Sequence, residues 1–213
     1  TEYDQIDFSS AQRIYFGGGE PTIMPEFYKF LRKCIKNNTT NFALLIGTNG
    51  MKFSNTLLDL LDHFDDVCLA FSYDGYQEVN DYVRWLTNFD TMIENSRILR
   101  ERGHRISLQT VFSMWNLPTL YKIFEFYDQE YPGSTLLVQP AADVDSLFAP
   151  YNHPSPKLVI ESIKRCQQTQ VYYENGRSIK SMIDAILEYY SNPDYKCDLE
   201  LLKKFFEFND KLD

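Results

Sequence analysis

The stretch Arg13-Ile-Tyr-Phe-Gly-Gly-Gly-Glu-Pro21 decides the architecture, because a short run of β-forming residues passes directly into three glycines. Further along, apolar residues recur at helical spacing over residues 25–37, at Phe27, Phe30, Leu31 and Ile35. Proline is tolerated in the first turn of a helix, so Pro25 fits the start of this pattern. The region therefore predicts a strand, a glycine turn and a helix, which together form one β/α unit.

The same unit recurs along the chain. Strands are predicted to begin near residues 13, 42, 67, 106 and 136, with helical patterns between them. Residues 42–46 and 67–71 are almost wholly apolar, as is typical of parallel strands buried on both faces. Alternating strands and helices predict an α/β fold with a parallel sheet and helices outside it. Five units are too few for a closed barrel of about 250 residues, so the pattern leaves a partial barrel or an open doubly wound sheet.

The last part of the chain has a different pattern. From residue 156 onward only helices are predicted, over about residues 157–169, 178–190 and 198–209. Residues 141–156 contain three prolines and form the best candidate boundary. We therefore predict a barrel-type domain over residues 1–150 and a helical C-terminal segment over residues 151–213 that packs on it.

Composition excludes some partners. The 213 residues include 21 Lys and Arg against 30 Asp and Glu, a net charge of −9. Phosphate contacts are made by basic side chains, so this balance argues against nucleic acid. No apolar run approaches the roughly 20 residues that span a bilayer, which argues against a membrane partner. The four cysteines are widely spaced and residues 1–10 are not signal-like, so we expect reduced thiols and a cytoplasmic location.

Glycine-bearing polar signatures follow three consecutive predicted strands. These are Gly17-Gly-Gly-Glu-Pro21, Gly47-Thr-Asn-Gly50 and Ser72-Tyr-Asp-Gly75. Each alone is explained by turn chemistry. Together they lie at the carboxyl ends of parallel strands, where α/β folds bind ligands and where glycine lets a backbone approach a ligand closely. We therefore expect a ligand site at this edge of the sheet.

The ordered set resembles a known family. Tyr15-Phe-Gly-Gly-Gly-Glu-Pro21, Gly47-Thr-Asn-Gly50 and Phe71-Ser-Tyr-Asp-Gly75 resemble three successive core signatures of the radical S-adenosylmethionine (radical SAM) enzymes. Thr110-Val-Phe-Ser113 with Asn116 resembles the fifth-strand segment of the SPASM and truncated "twitch" branch. The resemblance covers about residues 13–140. It implies a TIM-like partial (β/α) barrel whose first unit lies before this sequence.

The resemblance also implies which residues bind S-adenosylmethionine (SAM). The backbone around two glycines, with Glu20, would hold the methionyl amino group, and the Thr-Asn pair would lie near the methionyl end. Ser72 and Asp74 would face the ribose and carboxylate, whereas Ser113 and the end of the last strand would flank the adenine. The full implied set is Gly18, Gly19, Glu20, Pro21, Thr48, Asn49, Ser72, Asp74, Ser113 and Gln139. No catalytic residue is assigned.

One family motif is missing from these 213 residues. The Cys-x-x-x-Cys-x-x-Cys triad that binds a [4Fe–4S] cluster does not occur. Cys34 and Cys68 lie in apolar patterns that predict buried packing. Cys166 and Cys197 leave an auxiliary cluster as an alternative, although their spacing matches no motif. We therefore interpret the sequence as a fragment with no metal ligands of its own, whose cluster cysteines lie upstream.

The resemblance implies an activity for the parent protein. It would cleave SAM reductively at the cluster, and the resulting 5′-deoxyadenosyl radical would abstract hydrogen from a substrate. The fragment alone would be inactive. The implied partners are a small-molecule or peptide substrate and an electron donor such as flavodoxin or ferredoxin.

Two other functions stay open on the residues alone. A non-catalytic domain would keep the fold and the SAM pocket without the cluster. A hydrolase would use Glu20 and Asp74 as a carboxylate pair at the strand ends.

Overall fold

A computed structural model describes residue 8 and residues 10–141, 150–174 and 177–209 of the chain. The described residues contain five strands, which are β1 (Arg13–Phe16), β2 (Ala43–Thr48), β3 (Asp66–Ser72), β4 (Arg105–Phe112) and β5 (Leu136–Pro140). The α-helices in the same residues are α1 (Pro25–Lys36), α2 (Asn55–Leu61), α3 (Glu78–Val83), α4 (Phe89–Glu101), α5 (Leu120–Glu130), α6 (Pro156–Cys166), α7 (Gln170–Glu174), α8 (Arg177–Ser191) and α9 (Leu199–Asn209).

The strands form one sheet in their order along the chain, β1-β2-β3-β4-β5. β1 pairs with β2 and β2 pairs with β3 in parallel, with Phe16 opposite Ile46 and Thr48 opposite Phe71. A doubly wound sheet reverses its strand order at a switch point, and this order does not reverse. The partial (β/α)-barrel fold class is thus confirmed, and the doubly wound alternative is wrong.

The chain divides into two compact units. The first comprises the residues up to Ser72 together with Thr87–Leu108, and the second comprises Tyr73–Leu86 and the residues from Gln109 onward. The predicted domains, residues 1–150 and 151–213, stay a prediction. Residues 142–149, beside that boundary, lie outside the described residues.

In the first unit, α1 packs against β1 through aromatic side chains. The ring of Phe16 lies 4.8 Å from the rings of Phe27 and Phe30, and both helix residues are buried. Burying one phenylalanine contributes about 1.5–3 kcal/mol, so this contact fixes the helix on the strand. Two helix ends have residues typical of those positions: Ser54 Oγ accepts from Leu57 N at the start of α2, and Gly103 follows α4 with a φ of +89°.

The core of the second unit contains a group of buried tyrosines. The hydroxyls of Tyr73 and Tyr131 lie 2.8 Å apart, and those of Tyr127 and Thr110 also lie 2.8 Å apart. Burial raises the pKa of Tyr127 well above its usual value. Because each buried hydroxyl has a partner, these large side chains fill the core without an unpaired polar atom.

The helices of the last part of the chain are confirmed, with small differences. α6 packs on α5 and α8, and α9 begins after Asp198, whose Oδ1 accepts from two backbone N–H groups. α5 begins three residues later than predicted, because residues 117–119 form a 3₁₀ turn that contains Pro118. α3 and α7 were not predicted, because five or six residues are too short to show a helical period. No helix in the described part of the chain is long and apolar enough to cross a membrane.

Candidate functional site

The Glu20 cluster, consisting of Glu20, Thr22, Thr48 and Asn49, forms at the carboxyl end of β1 in the first unit. Glu20 precedes a 3₁₀ turn at residues 21–23 that begins with the buried Pro21. Its Oε1 accepts hydrogen bonds from the backbone N–H of Thr22 at 3.3 Å and from the Thr22 hydroxyl at 2.7 Å. The side chain is therefore fixed by the turn that it starts.

The same carboxylate also contacts residues at the end of β2. Oε1 also accepts from the Thr48 hydroxyl at 2.7 Å, and Oε2 accepts from the backbone N–H of Asn49 at 2.7 Å. Because β1 and β2 are parallel, their carboxyl ends meet at one edge of the sheet. Glu20 is thus in direct contact with Thr48 and Asn49. The family resemblance assigns all three residues to the same ligand.

The loop after β2 is held by its own side chains. Thr48 Oγ1 accepts from Gly50 N at 3.0 Å, and Asn49 Oδ1 accepts from Met51 N at 3.0 Å. Gly50 has a φ of +75°, and a Cβ there would lie 2.5 Å from the Phe71 ring. Glycine is therefore required at this position by both conformation and space.

The glycine turn after β1 presents exposed backbone. Gly18 and Gly19 have φ values of +82° and +59°, and both are exposed. No atom lies within 4 Å of where a Cβ of Gly18 would be. Glycine is needed at position 18 for its backbone conformation, and the peptide groups of the turn are open to a ligand.

Among the residues that the structure describes, no cation cancels the charge of Glu20. Its hydrogen-bond donors are hydroxyl and backbone N–H groups, and within the described residues it forms no ion pair. Hydrogen bonds from neutral donors stabilise the ionised carboxylate and leave its negative charge in place. The cluster is consequently suited to a cationic group such as an ammonium.

Asp74 lies in the second unit and has different partners. Its Oδ2 pairs with Arg84 Nη1 at 2.5 Å, and its Oδ1 accepts from Val111 N at 2.7 Å. Its side chain is 8% exposed and that of Arg84 is 27% exposed. The charge of Asp74 is thus paired with that of Arg84, which leaves Asp74 poorly suited to act as the acid or base of a hydrolase.

Two buried amides complete the surroundings of Asp74. Asn80 Oδ1 accepts from Asp74 N at 3.0 Å, and Asn116 Nδ2 donates to the backbone oxygens of Asp74 and Val111. Both side chains are fully buried. The sequence analysis named Asn116 only within the segment that resembles the SPASM and twitch branch, and it missed Asn80. No signal in the sequence pairs these residues, because each lies in a short or irregular segment.

Ser113 is the one predicted site residue with an unpartnered buried polar atom. Its side chain is 5% exposed, and its hydroxyl oxygen has no hydrogen-bond partner in the described part of the chain. Its backbone N–H donates to Asn116 Oδ1 at 2.9 Å. Such a hydroxyl is costly unless a bound molecule satisfies it. Of the other predicted residues, Ser72 ends β3 and is partly exposed, and Gln139 is exposed on β5.

The described residues do not fit an iron–sulfur cluster. No group of three or more His, Cys, Asp or Glu side chains among them is arranged to bind a metal. Cys34, Cys68 and Cys166 are buried, and Cys197 is partly exposed. Burial raises the pKa of Cys166 well above its usual value, which disfavours the thiolate that a cluster needs.

Comparison with protein families identifies the class to which the chain belongs. The family model of the Radical SAM superfamily matches residues 2–126, more than half of the chain. The chain therefore belongs to the Radical SAM superfamily.

Individual proteins also share sequence similarity with this chain. An uncharacterized protein of Methanothermobacter thermautotrophicus is 30% identical over 129 residues, covering 59% of this chain and 48% of the relative. Mycofactocin maturase MftC of Mycobacterium tuberculosis is 25% identical over 119 residues, covering 55% of this chain and 30% of the relative. The chain thus spans half or less of the length of these curated relatives.

Two solved structures share the fold. Native anSMEcpe with bound AdoMet superposes with a TM-score of 0.56 at 17% identity, covering 73% of this chain and 45% of that one. Streptococcus suis SuiB superposes with a TM-score of 0.55 at 14% identity, covering 76% of this chain and 36% of that one.

Proposed function

We propose that this chain is the SAM-binding part of a radical SAM enzyme. The observation that supports this most strongly is the Glu20 cluster, a carboxylate without an ion pair that joins the ends of two parallel strands. Family membership supplies the class of chemistry. The position of Glu20 supports a site for a cationic group, because it lies at the edge where such folds bind ligands.

In this proposal the first unit binds the methionyl end of SAM. Glu20 accepts a hydrogen bond from the α-ammonium, and the exposed backbone of Gly18 and Gly19 lies alongside it. Thr48 and Asn49 hold the Glu20 carboxylate in place through their 2.7 Å contacts. Pro21 starts the 3₁₀ turn that keeps Glu20 at the strand end.

The nucleoside contacts are proposed for Ser72, Ser113 and Gln139. Ser113 has the strongest support, because its buried hydroxyl lacks a partner within the described residues. Asp74 was expected to face the ribose and carboxylate. Because its charge is paired with Arg84, we propose that it fixes the end of β4 next to Ser113 instead.

The [4Fe–4S] cluster is proposed to be held by cysteines outside these 213 residues, since no described residues fit it. Such a cluster would supply the radical chemistry of the family, and the residues of this chain would hold SAM beside it. Flavodoxin or ferredoxin is the proposed electron donor, in a cytoplasm that keeps the four free cysteines reduced.

We propose a peptide as the substrate class, with a small molecule as the alternative. The support is indirect: anSMEcpe has been solved with bound AdoMet and a Cp18Cys peptide, and SuiB with its precursor peptide SuiA. At under 20% identity these structures share the fold alone with this chain.

The test is anaerobic reconstitution of the full-length protein with iron and sulfide, followed by chromatographic measurement of 5′-deoxyadenosine. We expect the nucleoside to form in the presence of dithionite and SAM. We expect Glu20→Gln to lower the yield, whereas Glu26→Gln, an exposed carboxylate on α1, leaves it unchanged. SAM binding without any formation of 5′-deoxyadenosine would instead support a non-catalytic SAM-binding domain. Absence of SAM binding would contradict both the enzyme and the non-catalytic domain.

A further inference from the structure

The side chain of Tyr15 lies beside Gly17 and Gly47 and has no assigned role. Phe16 packs on α1, and side chains of a strand alternate between its two faces. Tyr15 therefore lies on the opposite face of the sheet from α1. It is 57% exposed, and its hydroxyl forms no hydrogen bond within the described residues.

Two glycines create the space that the Tyr15 ring occupies. A Cβ at Gly17 would lie 2.5 Å from the Tyr15 hydroxyl oxygen, and a Cβ at Gly47 would lie 3.1 Å from it. The first distance is too short for a real side chain, and the second is tight enough that the ring would have to shift slightly. The ring thus crosses from β1 over Gly47 of β2, one residue before Thr48 and on the same strand end as the Glu20 cluster.

We infer that Tyr15 presents an aromatic face to the sulfonium of SAM and thereby favours SAM over uncharged thioether ligands. This inference rests on the proposed function. SAM has two cationic centres, the α-ammonium and the sulfonium, a few bonds apart in the methionyl group. Glu20 faces the first, and the half-exposed ring lies at the same strand ends to face the second.

The physical basis is the attraction between a cation and the negative face of an aromatic ring. For partly exposed sites this attraction corresponds to an affinity gain of about two- to fivefold. S-adenosylhomocysteine lacks the sulfonium methyl and its charge, so it gains nothing from the ring. The ring therefore adds selectivity, and its hydroxyl is dispensable.

The test compares the dissociation constants of SAM and S-adenosylhomocysteine by calorimetry on the full-length protein. We expect Tyr15→Leu to weaken SAM binding about two- to fivefold and to leave S-adenosylhomocysteine binding nearly unchanged. Tyr15→Phe keeps the aromatic face and should keep the wild-type ratio. Tyr82→Leu removes a tyrosine of equal exposure, 56%, in the second unit, and is the matched control.

Gly47→Ala gives an independent check, because the new Cβ must displace the ring. It should lower the preference for SAM in the wild-type background and have no further effect on that preference in Tyr15→Leu. An equal loss of affinity for both ligands in Tyr15→Leu, or an unchanged ratio, would overturn the inference while leaving the proposed function intact. Failure of the wild-type protein to bind either ligand would overturn the proposed function and this inference with it.

Discussion

Glu20 and Asp74 both follow a parallel strand closely, but their surroundings differ in one decisive way. Glu20 is held by hydroxyl and backbone N–H groups and has no cationic partner among the described residues. Asp74 is held by the Arg84 guanidinium and by Val111 N. One carboxylate keeps its negative charge available, and the charge of the other is cancelled inside the protein.

This difference indicates different roles for the two carboxylates: Glu20 is suited to bind a ligand, whereas Asp74 supports the protein structure. Neutral donors orient a carboxylate without cancelling its charge, so Glu20 is prepared for a cationic ligand. A buried ion pair stabilises only when both partners are present, so Asp74 mainly holds the chain around it. A carboxylate at a strand end is consequently not enough to indicate a ligand contact. Whether its partners are neutral donors or a cation determines whether its charge is available to a ligand.

The largest effect is expected for Asp74→Ala. The substitution removes the carboxylate that pairs with Arg84 and accepts from the Val111 N–H, which should lower the free energy of unfolding by about 3 kcal/mol. Urea denaturation measures this directly. Glu78→Ala, an exposed carboxylate on α3, is the control and should stay within about 0.5 kcal/mol of wild type. A loss below about 1 kcal/mol for Asp74→Ala would remove the distinction between the two carboxylates.

A smaller effect of opposite sign is expected for Ser113→Ala. Its buried hydroxyl has no partner within the described residues, so removing it should raise the free energy of unfolding by about 1 kcal/mol. The same change should weaken SAM binding, because the ligand loses a hydrogen bond. Unfolding curves recorded with and without SAM separate the two effects. A protein that is destabilised without SAM would show that the hydroxyl is already satisfied.

The smallest effect is expected on the pH dependence of the protein's stability. Burial lowers the pKa of His104 below its ordinary value of 6.5, although Asp62 opposes this shift. The unfolded chain therefore binds the proton more readily, and the His104 contribution to stability is present above pH 6.5 and is lost as the pH falls through the folded-state pKa. His104→Gln should flatten the fall in stability as the pH drops below 6.5. His153 also has a pKa lowered by burial, so part of the fall should remain. A pH dependence unchanged in His104→Gln would contradict this assignment.

Local sequence was enough to predict the alternating strands and helices and to predict that Glu20, Thr48 and Asn49 lie at the same edge of the sheet. The glycine turn, the Thr48-Asn49 pair and the Ser54 cap are all formed by neighbouring residues, so their signals lie within a few positions. Parallel pairing then brings the ends of β1 and β2 together without further information.

The partners of Asp74 could not be predicted in this way. Arg84 and Val111 are 10 and 37 positions away, and their contacts depend on the path of an irregular segment. The position of the Tyr15 ring likewise depends on space left by two glycines on different strands. Such arrangements follow from tertiary packing, for which a single sequence has no periodic signal.

The most direct test of the account is the SAM dissociation constant of Glu20→Gln, measured by calorimetry beside wild type and Glu26→Gln. Because a hydrogen bond to a charged group contributes about 1.5–3 kcal/mol, we expect Glu20→Gln to weaken binding about 10- to 100-fold. Glu26→Gln should bind as wild type does. Wild-type affinity in Glu20→Gln would show that the uncancelled charge at the end of β1 does not bind the ligand, and the central claim would be wrong.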